Sequence, residues 1–172
     1  LGAAAGGITA LAFAVAHPER VRSLILAGTI FAPNEAAWRD AYGRLGIDDV
    51  RDAVSIGFLE LGPSYRLSNP AGTARFTALS AEAHRNQTVR QPSGVDVTWA
   101  AMAAMTRPTL LLTGEADLFA PPPLQDMIAQ HLPNAEKATV REVGHAAYWE
   151  QPETFNRILL EFLRRHRGEQ PE

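Results

Sequence analysis

The chain opens on Leu-Gly-Ala-Ala-Ala-Gly-Gly over residues 1–7, and this stretch restricts the fold more than any other. Its spacing is that of the turn Gly-x-Ser-x-Gly, in which a strand ends, the chain turns sharply and a helix begins. We expect Gly at both outer positions because the turn leaves no room for a Cβ atom. Ala4 takes the middle position, in strained backbone, where this motif has Ser. A glycine-rich helix entry is the simpler alternative, and the rest of the chain must decide.

Composition narrows the class of protein. The 172 residues suffice for one domain, and 46% of them are hydrophobic, which is typical of a globular protein in water. The net charge is −3 with acids and bases interspersed, which disfavours a nucleic-acid or membrane partner. Cys is absent, and no group of His, Asp and Glu has metal-ligand spacing. We expect a cytoplasmic protein that uses no metal or cofactor and binds a small molecule.

Short hydrophobic runs alternate with helical patterns along most of the chain. The runs typical of buried parallel strands are residues 21–27, 108–113 and 138–143. Apolar residues recur at helical spacing over 6–17, 124–131 and 152–165. This alternation predicts an α/β fold with a mostly parallel sheet.

Residues 31–106 interrupt the alternation. They are more polar, they are broken by Gly and Pro, and they contain no convincing strand. We predict helices at 33–45, 47–61, 69 to about 86, and 95–105. The sequence therefore predicts a helical insertion at 31–106 between two parts of an α/β core, residues 1–30 and 107–172.

Two polar residues follow predicted strands. Asp117 lies in a loop past the second strand and His145 lies just past the third. Sites in open α/β sheets form at the carboxyl ends of the strands, and the turn at residues 2–6 should lie on the same edge. Turn, acid and histidine in this order match the chain order of a Ser-Asp-His triad. Taken singly, an Asp in such a loop is more often a turn former.

With these residues in place, the chain resembles the α/β-hydrolase superfamily, in the branch with a helical cap. The supporting segments are residues 2–7, 17–26, 108–117, 144–145 and 150–156. The resemblance implies an α/β-hydrolase fold of which this chain is the C-terminal part, with the N-terminal strands absent and residues 31–106 as the cap. It also implies that Asp117 is the triad acid, His145 the base and Ala4 the nucleophile position. The backbone N–H of Ala5 would be one oxyanion-hole donor.

The resemblance further implies hydrolysis of small carboxylic esters or of related carbonyl substrates in which a C–O or C–C bond is cleaved. We expect Trp38, Trp99 and Tyr148 to be candidates for substrate contact. For such aromatic residues, packing of the cap onto the core is the alternative role.

Ala4 leaves three interpretations open, because a methyl group cannot attack a carbonyl carbon. Ala4 is an engineered replacement of Ser, although its neighbours Ala3 and Ala5 make a single replacement a partial explanation. Alternatively, a His145–Asp117 dyad acts on water or on an acidic substrate proton without a covalent intermediate. In the third interpretation, the protein binds a small molecule without turning it over.

The opening motif also requires a strand before it, so we expect residues 1–172 to belong to a longer protein. The strand at 21–27 is apolar on both faces, and its edge would be open in the isolated fragment. We therefore expect the fragment alone to self-associate through that edge.

Overall fold

The computed structural model describes residues 1–29, 31, 33–83 and 94–167. These residues form one four-stranded sheet in the order β1-β2-β3-β4, with every neighbouring pair parallel. The strands are β1 (Gly2–Ala3), β2 (Leu24–Ala27), β3 (Thr109–Gly114) and β4 (Ala135–Val140). The prediction of three parallel neighbouring strands is confirmed, and with it the partial α/β fold.

Helices connect the strands. Along the chain they are α1 (Ala5–Ala16), α2 (Ala36–Gly43), α3 (Ile47–Val50), α4 (Ile56–Glu60), α5 (Pro63–Ser68), α6 (Pro70–Ala83), α7 (Trp99–Ala104), α8 (Pro122–Ala129), α9 (Ala147–Glu150) and α10 (Pro152–Arg165). Short 3-10 turns occupy Pro18–Arg20 and Arg51–Ala53. The described residues include no helix both long and apolar enough to cross a membrane.

The register brings the carboxyl ends of the strands to one edge. Ala3 lies opposite Ala27, and Ala27 lies opposite Leu112. On the other side of β3, Gly114 lies opposite Val140. The loops that carry Ala4, Asp117 and His145 therefore leave the sheet at the same edge, as parallel strand order requires.

The two faces of the sheet support separate parts of the core. Side chains alternate along a strand, so Leu24 and Leu26 point to one face while Ile25 points to the other. The first face packs against α1 and α8, and the second against α10, whose Phe155 and Phe162 are buried. Because both faces are covered, β2 and β3 read as unbroken hydrophobic runs in the sequence.

Within residues 33–83 and 94–106 the structure contains helices and no strand. Part of this block shares its core with one face of the sheet, since Trp38 and Met102 belong to the same hydrophobic cluster as Leu26 and Leu111. The prediction of a helical insertion agrees with these elements. A domain boundary at residues 30/31 and 106/107 stays a prediction.

Two local predictions are wrong. The third strand runs from Ala135 to Val140, three residues earlier than predicted, because β4 is the last strand of the described sheet and its exposed positions are polar. The helix predicted over 47–61 is broken, because Ser55 begins a new helix by accepting the N–H of Phe58 at 3.1 Å. The predicted helix end at 84–86 lies outside the described residues.

Candidate active site

The turn at the start of the chain has the backbone of a nucleophile elbow. Ala4 lies between β1 and α1 with φ 47° and ψ −127°, a conformation that costs a residue with a Cβ roughly 1–3 kcal/mol. Its N–H donates to the carbonyl of Ala27 at 2.9 Å, and its own carbonyl accepts the N–H of Gly7 at 3.0 Å. The turn is therefore formed with a methyl group at its tip.

The glycines of this turn differ in how tightly they are packed. A Cβ added to Gly2 would lie 2.5 Å from the carbonyl oxygen of Gly6, so Gly is required there as predicted. The same prediction is wrong for Gly6, whose added Cβ would meet no described atom within 4 Å outside its chain neighbours and the nearby backbone of α1. The crowded position is Gly7, where a Cβ would lie 2.0 Å from Oγ1 of the buried Thr29. In the sequence, only the doubled glycine at residues 6–7 could have indicated that Gly7 is the crowded position.

Asp117 and His145 meet in a buried pair. Nδ1 of His145 lies 3.0 Å from both carboxylate oxygens of Asp117, and the two side chains are 5% and 0% exposed respectively. Asp117 Oδ1 also accepts the backbone N–H groups of Phe119 at 2.8 Å and Ala120 at 2.9 Å. Asp117 acts as an acceptor toward these backbone N–H groups, so Nδ1 of His145 is placed to donate to it, and Nε2 is the ring nitrogen left for another partner.

Gly28 joins this pair to the elbow, and the sequence analysis did not single it out. It follows β2 with φ +51°, and an added Cβ would lie 3.3 Å from His145 Nδ1 and 3.4 Å from Asp117 Oδ2. The preceding residue, Ala27, accepts the N–H of Ala4. The elbow and the Asp117–His145 pair therefore border two consecutive residues, Ala27 and Gly28. That Nε2 of His145 faces Ala4 stays a prediction.

Ala5 is the first residue of α1. Its N–H precedes the first intrahelical hydrogen bond, so it is one of the donors that a helix N-terminus leaves free for another acceptor. Its assignment to an oxyanion hole stays a prediction.

Two of the aromatic candidates pack at the junction of the helical block and the core. Trp38 is 4% exposed and lies between Phe31 and Tyr42, with ring centroids 5.9 and 6.0 Å away. Trp99 stacks on His131 with centroids 3.9 Å apart and planes 12° apart. These contacts describe packing, and substrate contact by either residue stays a prediction.

Tyr148 is the third aromatic candidate. It is 45% exposed and meets the edge of Phe155 with ring centroids 6.2 Å apart. Partial burial and the negative charge of Glu60 raise the pKa of the Tyr148 phenol, so the hydroxyl is neutral at pH 7. A role in substrate binding stays a prediction here too.

Glu150 is a buried carboxylate that the sequence analysis missed as a site residue. It accepts the N–H of Gly144, the residue before His145, at 2.9 Å. Burial raises the pKa of the Glu150 carboxyl, against the N–H donors of Gly62 and Gly144, which lower it. Across the described ranges, no three His, Asp or Glu side chains are grouped as ligands for a metal ion.

A cavity of about 310 Å³ lies between the helical block and the loop of Asp117. Its lining residues include Phe58, Leu61, Arg66, Asp117 and Leu118. The cavity therefore borders the acid of the pair and is lined from both parts of the chain.

Comparison with known proteins identifies the family. Residues 1–158 match the family described as "Alpha/beta hydrolase family". A 2-hydroxy-6-oxononadienedioate/2-hydroxy-6-oxononatrienedioate hydrolase of Cupriavidus pinatubonensis (strain JMP 134 / LMG 1197) is 26% identical over 178 residues, which cover 95% of this chain. The chain spans 61% of the length of that relative.

Solved structures show the same fold. A thermophilic esterase from Thermogutta terrifontis superposes with a TM-score of 0.72 at 23% identity, over 97% of this chain and 64% of that one. A 2-hydroxy-6-oxo-6-phenylhexa-2,4-dienoate hydrolase from Rhodococcus sp. strain RHA1 gives a TM-score of 0.66 at 19% identity, over 95% and 62%. The profile match over most of the chain decides the family, and this chain belongs to the alpha/beta hydrolase family.

Proposed function

We propose that the protein is a hydrolase of small carboxylic esters or of related carbonyl substrates, in which a C–O or C–C bond is cleaved. The observation that carries the proposal is the buried hydrogen bond of His145 Nδ1 to Asp117 at 3.0 Å. This bond orients the imidazole and leaves Nε2 as a general base at the carboxyl edge of the sheet. The relatives named above, two hydrolases and an esterase, support the reaction class.

The methyl group of Ala4 limits what this chain does. In a Ser-His-Asp enzyme, loss of the nucleophile lowers turnover about a million-fold. With Ala4 in place, His145 acts on a water molecule or an acidic substrate proton without a covalent intermediate. The N–H of Ala5 would stabilise the developing oxyanion. Residues 31–106 would close over the substrate, with Trp38, Trp99 and Tyr148 as contacts.

The same residue favours a second function. A protein that keeps the elbow, Asp117 and His145 but has no nucleophile can bind the small molecule without cleaving it. A cytoplasmic location and self-association through the sheet edge stay predictions for either function.

Ala4→Ser in the full-length protein tests the hydrolase proposal. The new hydroxyl would occupy the tip of a turn that is already formed, and the proposal assigns His145 as its base. We expect hydrolysis of a small activated ester such as p-nitrophenyl acetate to rise by several orders of magnitude, up to about a million-fold. Initial rates before and after the change give the result.

Two controls make the test specific. Adding His145→Ala to Ala4→Ser should abolish the gain, because the hydroxyl then has no base. Ala10→Ser, a hydroxyl on α1 beyond its first turn, should give no gain. Ala4→Ser with unchanged circular dichroism and no added hydrolysis would show that the site is not suited to serine chemistry, and would favour the binding function.

A further inference from the structure

Two segments far apart in the sequence meet behind His145. One is the joint, defined as residues 60–62, which are the last residue of α4 and the link to α5, and the other is the histidine loop, residues 143–146. The N–H of Ala146 donates to the carbonyl of Glu60 at 3.1 Å. A Cβ on Gly144 would lie 2.5 Å from the nitrogen of Gly62, and one on Gly62 would lie 2.9 Å from the nitrogen of Gly144. Glycine at both positions allows the two backbones to touch.

Glu150 connects the joint and the histidine loop. Its carboxylate is buried, and it accepts the N–H of Gly62 at 3.1 Å from each oxygen and the N–H of Gly144 at 2.9 Å. Hydrogen bonds to an ionised carboxylate are about twice as strong as those between neutral groups. One side chain therefore satisfies an N–H group from each of the two segments.

The histidine loop is also attached to the loop of the acid. The N–H of Ala116 donates to the carbonyl of Val143 at 2.8 Å, directly before Asp117 in the chain. The histidine loop therefore contacts the loop of Asp117 on one side and the joint on the other. Glu150 bonds to both the histidine loop and the joint. A shift of the joint would be passed to His145 through Gly144, its immediate neighbour.

We propose that Glu150 is a positioning residue that holds His145 against Asp117 by fixing the histidine loop to the joint of the helical block. The proposal rests on the proposed function, because it assigns a role relative to the base of that site. Its chemistry is that of a buried carboxyl acceptor shared by two backbone donors. The charged groups that act on Glu150 in the fold are Asp117 and Arg66.

The experiment compares Glu150→Gln with Glu150→Asp in the full-length protein. Glu153→Gln is the matched control, since Glu153 is exposed in the first turn of α10. NMR reports two quantities: hydrogen exchange of the Gly62 and Gly144 amides, and the signal of the His145 Nδ1 proton. Both are measured with Ala4 in place, so the result does not depend on whether Ala4→Ser is active.

In Glu150→Gln the carboxylate is replaced by an amide that turns an NH₂ group toward one of the N–H donors. We expect both amides to exchange about tenfold faster or more, and the His145 proton signal to broaden or disappear. Glu150→Asp should restore part of the protection, and Glu153→Gln should change neither quantity. A folded Glu150→Gln protein with an unchanged His145 proton signal would overturn the proposal, because a residue that only supports the fold would not affect that signal.

If Glu150→Gln does not fold, acid titration of the unaltered protein tests the positioning role of Glu150 instead. The amide signals of Gly62, Gly144 and Ala146 should then move with one common midpoint, because protonation of Glu150 weakens its acceptor and loosens the whole contact. An Ala146 signal that does not follow the other two would show that the histidine loop is held independently of Glu150.

Discussion

The elbow and the acid–histidine loops lie at the same edge of the sheet but are held in different ways. At the elbow, Ala4 makes no side-chain hydrogen bond, and the turn is fixed by backbone bonds and by glycines packed against neighbouring atoms. At the loops, the carboxylates of Asp117 and Glu150 accept hydrogen bonds from backbone N–H groups around His145. One region is shaped by steric fit and the other by buried acceptors.

This difference explains why Ala4 is accommodated. The shape of the elbow depends on Gly2 and Gly7, so the residue at the tip can change without altering the turn. In the loops, removing a carboxylate would leave buried N–H groups unpaired, at about 1–3 kcal/mol each. The tip of the elbow is therefore open to substitution, whereas Asp117 and Glu150 are tied to the fold by the backbone N–H groups that they accept.

The largest expected effect on stability is at Gly7. Gly7→Ala would place a methyl group against the fully buried Thr29, 2.0 Å from its Oγ1, so we expect the free energy of unfolding to fall by about 1–3 kcal/mol. Gly6→Ala is the matched control, because its Cβ is unobstructed and Ala favours the helix by about 0.5–1 kcal/mol. Urea denaturation of the full-length proteins measures both. Equal losses for the two variants would contradict steric control of the elbow.

A smaller effect is expected at the tip of the turn. Ala4→Gly removes the strain of a Cβ at positive φ, and this gain should exceed the added flexibility of the unfolded chain. We expect the free energy of unfolding to rise by about 1 kcal/mol. Ala78→Gly, at an exposed position within α6, should instead lower it by about 1 kcal/mol. A loss of stability in both variants would mean that the backbone at Ala4 is unstrained.

The smallest expected effect is a change of stability with pH. The elbow has no titratable side chain, so it does not contribute to this effect. On β4, which leads toward the histidine loop, partial burial acts to raise the pKa of Glu136, but the hydrogen bonds of His166 and Arg165 lower it further than burial raises it. The stability that Glu136 contributes is therefore present above its ordinary pKa of 4.5 and is lost as pH falls through the lowered value. Because the Glu136 and Arg165 side chains are each more than a third exposed, Glu136→Gln should cost less than about 1 kcal/mol at pH 7.

Thermal melting at pH 7 and in acid measures the Glu136 effect. The difference between Glu136→Gln and the unaltered protein should vanish once Glu136 is protonated. A difference that persists in acid would assign the effect to packing of the side chain and not to its charge.

Much of the candidate site could be predicted from the sequence, because the patterns that indicate it involve residues close together in the chain. Asp117 and His145 each follow a hydrophobic run, and parallel strands bring such positions to one edge, so their meeting could be predicted across 28 residues of chain. The spacing of Gly2, Ala4 and Gly6 likewise predicted the turn. These features depend on neighbours along the chain and on one rule of sheet topology.

The sequence by itself determined the parallel α/β pattern, the elbow with a methyl group at its tip, and the acid and histidine at one edge. Only the tertiary structure decided that Gly7 is the crowded glycine and that Trp38 and Met102 of the helical block belong to the core of the sheet. It also decided that Glu150 bonds to both the joint and the histidine loop. The physical reason is distance along the chain. Gly62 and Glu150 are 88 residues apart, and neither steric contact nor burial between such positions leaves a periodic pattern in either segment.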